Sequence, residues 1–224
     1  GATATDHAID VLHTEVLGDP EAAYRDVLIA PSEQKARAFH GHMLVKMAEM
    51  SIEDGLVMQL HAGSQRNTNR HLFNAFGADK GADIPRPTSW VDALDALLNR
   101  AGNHPDSRFI VFTLDESSYA RELAPMAGHW PALRIGPPWW FHDSPSGIAR
   151  YLDHVVETAG YWNLAGFNDD TRAFLSIPAR HDLWRRAVSE HLSGQSRRGY
   201  FDRATAEEIA TLLAVDLARE AYRL

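Results

Sequence analysis

Five short apolar runs, each delivering a polar or aromatic group at its carboxyl end, constrain this chain more than any other feature. Thr3 to Ile9 carries Asp6 and His7, Leu56-Val57-Met58-Gln59-Leu60 runs into His61, and Phe109 to Leu114 runs into Asp115. Leu133-Arg134-Ile135-Gly136 passes through Pro137-Pro138 to Trp139-Trp140, and Leu164 to Phe167 leads into Asn168-Asp169-Asp170-Thr171-Arg172. Helical patterns lie between the runs. Ser32, after Pro31, opens one with Phe39, Met43 and Met47 on a single face. Thr88 or Ser89 caps another that carries Trp90, Leu94, Leu97 and Leu98; Ser117 to Met126 is a third, interrupted by Pro125. Pro145 suits the first turn of a fourth, with Ile148, Leu152, Val155 and Val156 inward. Pro178 to Leu192 and Thr205 to Tyr222 follow. Strands that are apolar throughout, alternating with helices, predict an α/β fold whose parallel sheet is covered on its faces.

A closed barrel of such units needs eight strands and about 250 residues. Five cannot close one, and an open parallel edge would leave backbone groups unpaired. Part of a larger barrel is therefore favoured over an open sheet. The opening Gly-Ala-Thr-Ala-Thr-Asp-His lacks an initiator Met and reads as the inside of a protein.

Composition excludes several function classes. The chain has 224 residues, a formal charge of −8 and no Lys/Arg tract long enough to follow phosphates, which argues against nucleic-acid binding. It has no cysteine, so disulfide scaffolds, thiolate metal sites and cysteine nucleophiles are out. Its apolar runs are too short to span a bilayer and no signal peptide is visible, so a cytoplasmic location is expected.

Chemistry is expected where the apolar runs end. Asp169 and Asp170 cannot share a face of a strand, so one of them enters the interior with Arg172, as a metal ligand beside an anion clamp or, more plainly, as a helix cap. His61 opens Ala62-Gly63-Ser64-Gln65-Arg66-Asn67-Thr68-Asn69-Arg70 and suits a metal ligand or an acid/base group; a histidine satisfied by neighbouring backbone is the plainer alternative. Arg66 and Asn69 could hold a carboxylate or sugar hydroxyls, or cap their own loop. Asp6 could orient His61 or act as a base. Of Trp139 and Trp140, one ring can wall a pocket while the other packs under a helix, core packing of both being the default. His40-Gly41-His42 lies in a helical pattern, where residues two apart diverge, so chelation is not expected. Arg185-Arg186 and Arg197-Arg198 read as solvated surface, and His104, His129, His154 and His191 fall into no pattern.

Several blocks together resemble the uronate isomerase family of the amidohydrolase superfamily. They are Thr5-Asp6-His7, Gly55 to His61 with Arg66-Asn67, Trp139 to Asp143, and Gly166 to Ser176 continuing to Arg180-His181. Their order and spacing hold over the whole chain. The resemblance implies the C-terminal half of a metal-dependent (β/α)8 TIM-type barrel, strands four to eight with C-terminal helices, as one domain portion over residues 1–224. It implies a missing N-terminal half carrying an H-x-H metal pair, a tyrosine and an arginine. By the same resemblance Asp170 and His61 bind one divalent metal ion, expected to be zinc; Asp170, His61 and Asp6 are catalytic; and Arg66, Arg172, Trp139 and Trp140 meet the substrate. The implied reaction is aldose–ketose isomerisation of a small-molecule uronic acid, D-glucuronate or D-galacturonate, through an enediol. The chain by itself is expected to be inactive. Superfamily hydrolysis or decarboxylation, or a non-catalytic half awaiting its partner, are the alternatives. No nucleic acid or membrane partner is expected, and a homo-oligomer is left open.

Overall fold

The structure, a computed structural model, describes residues 1–224 apart from Ala82, Trp140, Phe141, Asp170, Thr171 and Arg172. Among the described residues one parallel sheet is built from β1 (Ala4–Ile9), β2 (Val57–Ala62), β5 (Phe109–Phe112) and β6 (Leu133–Ile135), side by side in that order. A small antiparallel pair, β3 (Ser64–Gln65) with β4 (Ile84–Pro85), closes the loop that follows β2. The helices are α1 (Pro20–Ile29), α2 (Glu33–Glu53), α3 (Arg70–Phe76), α4 (Trp90–Ala101), α5 (Glu116–Ser118), α6 (Ala124–His129), α7 (Pro145–Ala159), α8 (Ile177–Arg197), α9 (Arg203–Thr211) and α10 (Leu217–Tyr222). No helix among the described residues is long and apolar enough to cross a membrane.

The alternation of side chains along each strand sorts residues onto two faces. Met58, Leu60, Phe109, Val111, Leu133 and Ile135 join the helices in the main core. Val57, Ile110, Phe112 and Ala165 turn to the other face, where Ala4 and Trp139 pack with Ala221 and Tyr222 of α10. By the same parity Asp6, Gln59 and His61 belong to that second face. All four residues of β5 are buried, which is why its sequence is apolar without alternation.

The expected helices form, with differences that have physical causes. Ser32 caps α2 by accepting the Lys35 amide at 3.3 Å, but the buried face is Gly41, Leu44, Val45 and Ala48, leaving Phe39, Met43 and Met47 half-buried. Ser89 stands at the head of α4 without capping it. Its hydroxyl goes to Asp92, and Glu122 accepts the Trp90 and Val91 amides at 2.5 and 3.1 Å instead. The helix runs through Pro125 because a π turn, Tyr119–Leu123, directs the Ala124 amide to Tyr119 and absorbs the missing donor. A second π turn, Leu212–Asp216, joins α9 to α10.

The fifth expected strand, Leu164 to Phe167, is a correction. Only a single bridge forms there, Ile135 to Leu164, with the Ala165 amide on the Ile135 carbonyl at 2.9 Å. Gly166 then takes φ +76°, outside the extended region, where the chain passes against Ala218. The expected parallel α/β sheet is thus present, with its last member reduced to one pair.

Candidate functional site

The carboxyl ends of β1 and β2 open into a cavity of about 390 Å³ lined by His61, Arg66, Asn67 and Trp139, with Ala8 and Asp10 on its β1 side. Register places Asp6 beside Gln59 and Ala8 beside His61, so Asp6 reaches His61 across the strand gap, one repeat along. Asp6 Oδ1 stands 2.6 Å from His61 Nδ1. That hydrogen bond holds the Asp6 carboxyl below its ordinary value; partial burial opposes the shift and the charges of His61 and His7 add to it. An ionised carboxylate only accepts, so Nδ1 carries the proton and Nε2 is the ring nitrogen left for other use.

Aromatic walls fix the imidazole. His61 is in register with Phe112 and stacks on it, with ring centroids 4.2 Å apart and an angle of 4° between the planes. Trp139 meets it edge-on at 5.3 Å and 75°. The Phe112 ring in turn lies over Gly136. Trp139 thus stands at the pocket wall while also packing against the second-face cluster.

Arg66 lines the cavity yet is held by its own loop. Its Nε stands 3.4 Å from Asp83 and its Nη1 4.0 Å from Asp79. Asn69 caps α3 by accepting the Leu72 amide at 3.2 Å, and Asn67, at φ 57°, accepts the Asp79 amide at 2.9 Å. The two asparagines serve the loop, while the guanidinium sits at the cavity edge. Asp170, Arg172 and Trp140 lie outside the described residues.

His40 and His42 stay apart from this site, in α2. His42 is buried and accepts the Leu17 amide at 3.1 Å. His191, without a pattern in the sequence, stands 3.2 Å from Asp153 and 3.0 Å from the Tyr161 hydroxyl, a contact that joins α7 to α8.

Further groups lie beneath the site. Tyr222 donates to Gln59 Oε1 at 2.5 Å and accepts from Asn168 Nδ2 at 2.7 Å. Burial pushes its phenol up to about 12; the Asn168 hydrogen bond opposes this and the Asp6 charge adds to it. Arg180 bridges two carboxylates, Asp169 from Nε at 2.5 Å and Asp143 from Nη2. One sequence signal pointed here: Gln59 interrupts the apolar run Leu56 to Leu60. Tyr222 carries none, since its role depends on how the C-terminal helix returns to the sheet.

Among the described residues no group of three or more His, Asp or Glu side chains is placed to hold a metal ion. His61 alone fits one donor's part, because a histidine whose Nδ1 is held by a carboxylate presents Nε2 as a ligand with fixed orientation.

The family model for glucuronate isomerase matches residues 1–218. The uronate isomerase of Nostoc punctiforme is 51% identical, covering 100% of this chain and 48% of that protein. The crystal structure of glucuronate isomerase from Caulobacter crescentus superposes with a TM-score of 0.95 at 51% identity, over 99% of this chain and 47% of that one. The structure of uronate isomerase from Thermotoga maritima gives a TM-score of 0.89 at 25% identity, over 98% and 49%. The chain spans about half the length of the curated relatives it matches.

Proposed function

This chain belongs to the glucuronate isomerase family, and from that premise we propose that it supplies one side of a uronate isomerase active site. The observation that carries the proposal is the 2.6 Å hydrogen bond between Asp6, within β1, and His61, near the carboxyl end of β2, where His61 lines a cavity with Arg66 and Trp139. In this proposal the sheet is strands four to eight of a (β/α)8 barrel, in a protein of the length of its relatives. Residues 1–224 alone are then without isomerase activity.

The reaction moves hydrogen between two carbons of D-glucuronate or D-galacturonate. A base takes the proton from C2, the electrons pass into an enediol, and a proton returns at C1 as the carbonyl shifts to C2. Asp6 keeps the His61 imidazole in one tautomer and orientation throughout. Arg66, at the cavity rim, is suited to the substrate carboxylate, and Arg172 joins it in that role. The Trp139 ring limits water at the reacting carbons, with Trp140 assigned to the same wall. Asp170 takes part in proton transfer.

A divalent metal ion, expected to be zinc, would be held by His61 and Asp170 with donors from outside this chain, and would polarise substrate oxygens. Support for this assignment in the structure is the carboxylate-held His61 ring.

The test is an assay of the full-length protein on both uronates, with Asp170→Asn beside it. Conversion by the wild type and loss of most turnover in the variant are expected. Absence of conversion would overturn the proposed activity, and near-normal turnover in Asp170→Asn would overturn that residue's role.

A further inference from the structure

We propose that Arg180 is a positioning residue for this site, holding through Asp169 and Asp143 two loops, one leading in the sequence to Asp170 and the other following Trp139. The inference rests on the isomerase assignment for what those loops do. Its geometry stands apart from that assignment.

Arg180 occupies the first turns of α8. Its Nε donates to Asp169 Oδ1 at 2.5 Å and its Nη2 to Asp143 Oδ2, partners 11 and 37 residues away in the chain. Both carboxylates are withdrawn from water, with side chains 5% and 4% exposed, whereas the arginine is 28% exposed. Buried carboxylates persist only where cationic or hydrogen-bonding partners replace lost water. A guanidinium presents donors in a rigid planar fork, so it sets the direction of both carboxylates as well as neutralising charge. An ammonium in the same place would supply charge without that direction.

The positions of the two acids turn this clamp toward the site. Asp169 is followed in the chain by Asp170, and Asp143 comes shortly after Trp139-Trp140. Asp143 also precedes Ser144, whose hydroxyl caps α7 by accepting the Gly147 amide at 3.1 Å. Asn168, one residue before Asp169, is held separately by Tyr222 of α10. The approach to Asp170 is therefore gripped at successive residues by two helices, and one of those grips extends to the Trp139 loop. Trp139 in turn meets the His61 ring. A small displacement of reacting groups is enough to cost about 10²-fold in rate, so a clamp of this kind acts on turnover without touching substrate.

Arg180→Ala in the full-length protein provides the test, read by site-resolved amide hydrogen exchange and by kinetics on D-glucuronate. Expected is faster exchange at His142 and Asp143 and at Asn168 and Asp169 together, with the remaining described residues unchanged. Turnover should fall about 100-fold, with a rise in KM beside it because the loosened segments adjoin Trp139 and Arg172, which are assigned to the substrate. Added guanidinium should restore part of the rate, whereas Arg180→Lys should stay impaired. Asp143→Asn keeps the shape of the acid and should loosen the first loop only; Asp169→Asn should loosen the second only. These two variants carry the test if Arg180→Ala does not fold. Unchanged exchange in both loops would overturn the proposal, as would a rate loss that follows the folded fraction and ignores guanidinium. A wild-type protein without isomerase activity would overturn the assigned reaction instead, leaving the exchange result to decide the clamp.

Discussion

The Phe112 ring fills the space in which a side chain on Gly136 would begin: a Cβ there would stand 2.0 Å from the ring. The glycine at the end of β6 is thus what lets Phe112 lie flat under His61. Gly136→Ala should displace the ring and cost about 1–3 kcal/mol of stability, the usual range for overpacking. Because the displaced ring supports His61, isomerase turnover in the full-length protein should fall further than the stability loss explains. Chemical denaturation beside a turnover assay separates the two effects.

Asp6→Asn should keep the shape at His61 but replace an acceptor-only carboxylate with a neutral amide that can either accept from or donate to Nδ1, so that the tautomer is no longer fixed. A drop of about 10- to 100-fold in turnover or metal affinity is expected, in line with the loss of other carboxylates that orient histidine ligands. The pH dependence has a definite sign. The Asp6 carboxyl is held below its ordinary value of 3.8, so its stabilising contribution is present above that pH. It is lost as pH falls through the lowered folded-state value. Denaturation curves of wild type and Asp6→Asn should therefore converge below pH 3.8 and separate above it.

Tyr222→Phe removes a hydroxyl that serves Gln59 and Asn168 at once. Two polar groups beneath the site lose their partner, and a destabilisation of about 1–3 kcal/mol is expected. In the wild type the phenol is pushed from 10.0 up to about 12, so its contribution is complete below pH 10 and lost as pH rises toward 12. Ultraviolet titration of tyrosinate, compared between wild type and Tyr222→Phe, checks the late-titrating phenol.

Glu122→Ala uncovers the first two amides of α4. Loss of a helix cap costs about 0.5–2 kcal/mol, and the variant should lose stability in that range with its exposed Ser89 unable to compensate. Hydrogen exchange at Trp90 and Val91 should quicken relative to Leu97 and Leu98, which lie deeper in the helix.

What could be read from the sequence followed distance along the chain. β2 and β5 announced themselves as apolar runs, α7 by Pro145 and an inward stripe, and His61 by its place at a strand end. The pairing of Asp6 with His61 needed only adjacent parallel strands in a particular register, and was foreseeable as one of two options. Glu122 on α4, Arg180 across two acids and Tyr222 on Gln59 were not legible. Each joins segments that only the tertiary fold brings together, and although Arg180 belongs to a block that carries the family resemblance, nothing in the sequence names its two partners. The last strand failed for a local reason: Gly166 at φ +76° ends the extended run that Leu164 begins. Phe39, Met43 and Met47 have helical spacing, yet the tighter stripe of Gly41, Leu44, Val45 and Ala48 won the buried side of α2, with Gly41 admitting His13 at close range.

The Glu122 cap has a consequence for how such a chain can be recombined. Trp90 and Glu122 sit in successive strand–helix units, and Thr14, from the segment after β1, also reaches α4, donating to the Ala93 carbonyl at 2.6 Å. The helix thus draws its start from the unit after it and an interior hydrogen bond from the unit before it. A chimera that exchanges the Trp90–Ala101 unit with a relative must carry Thr14 and Glu122 as well, so crossovers placed at the loops on either side of α4 would divide one cooperative block into parts.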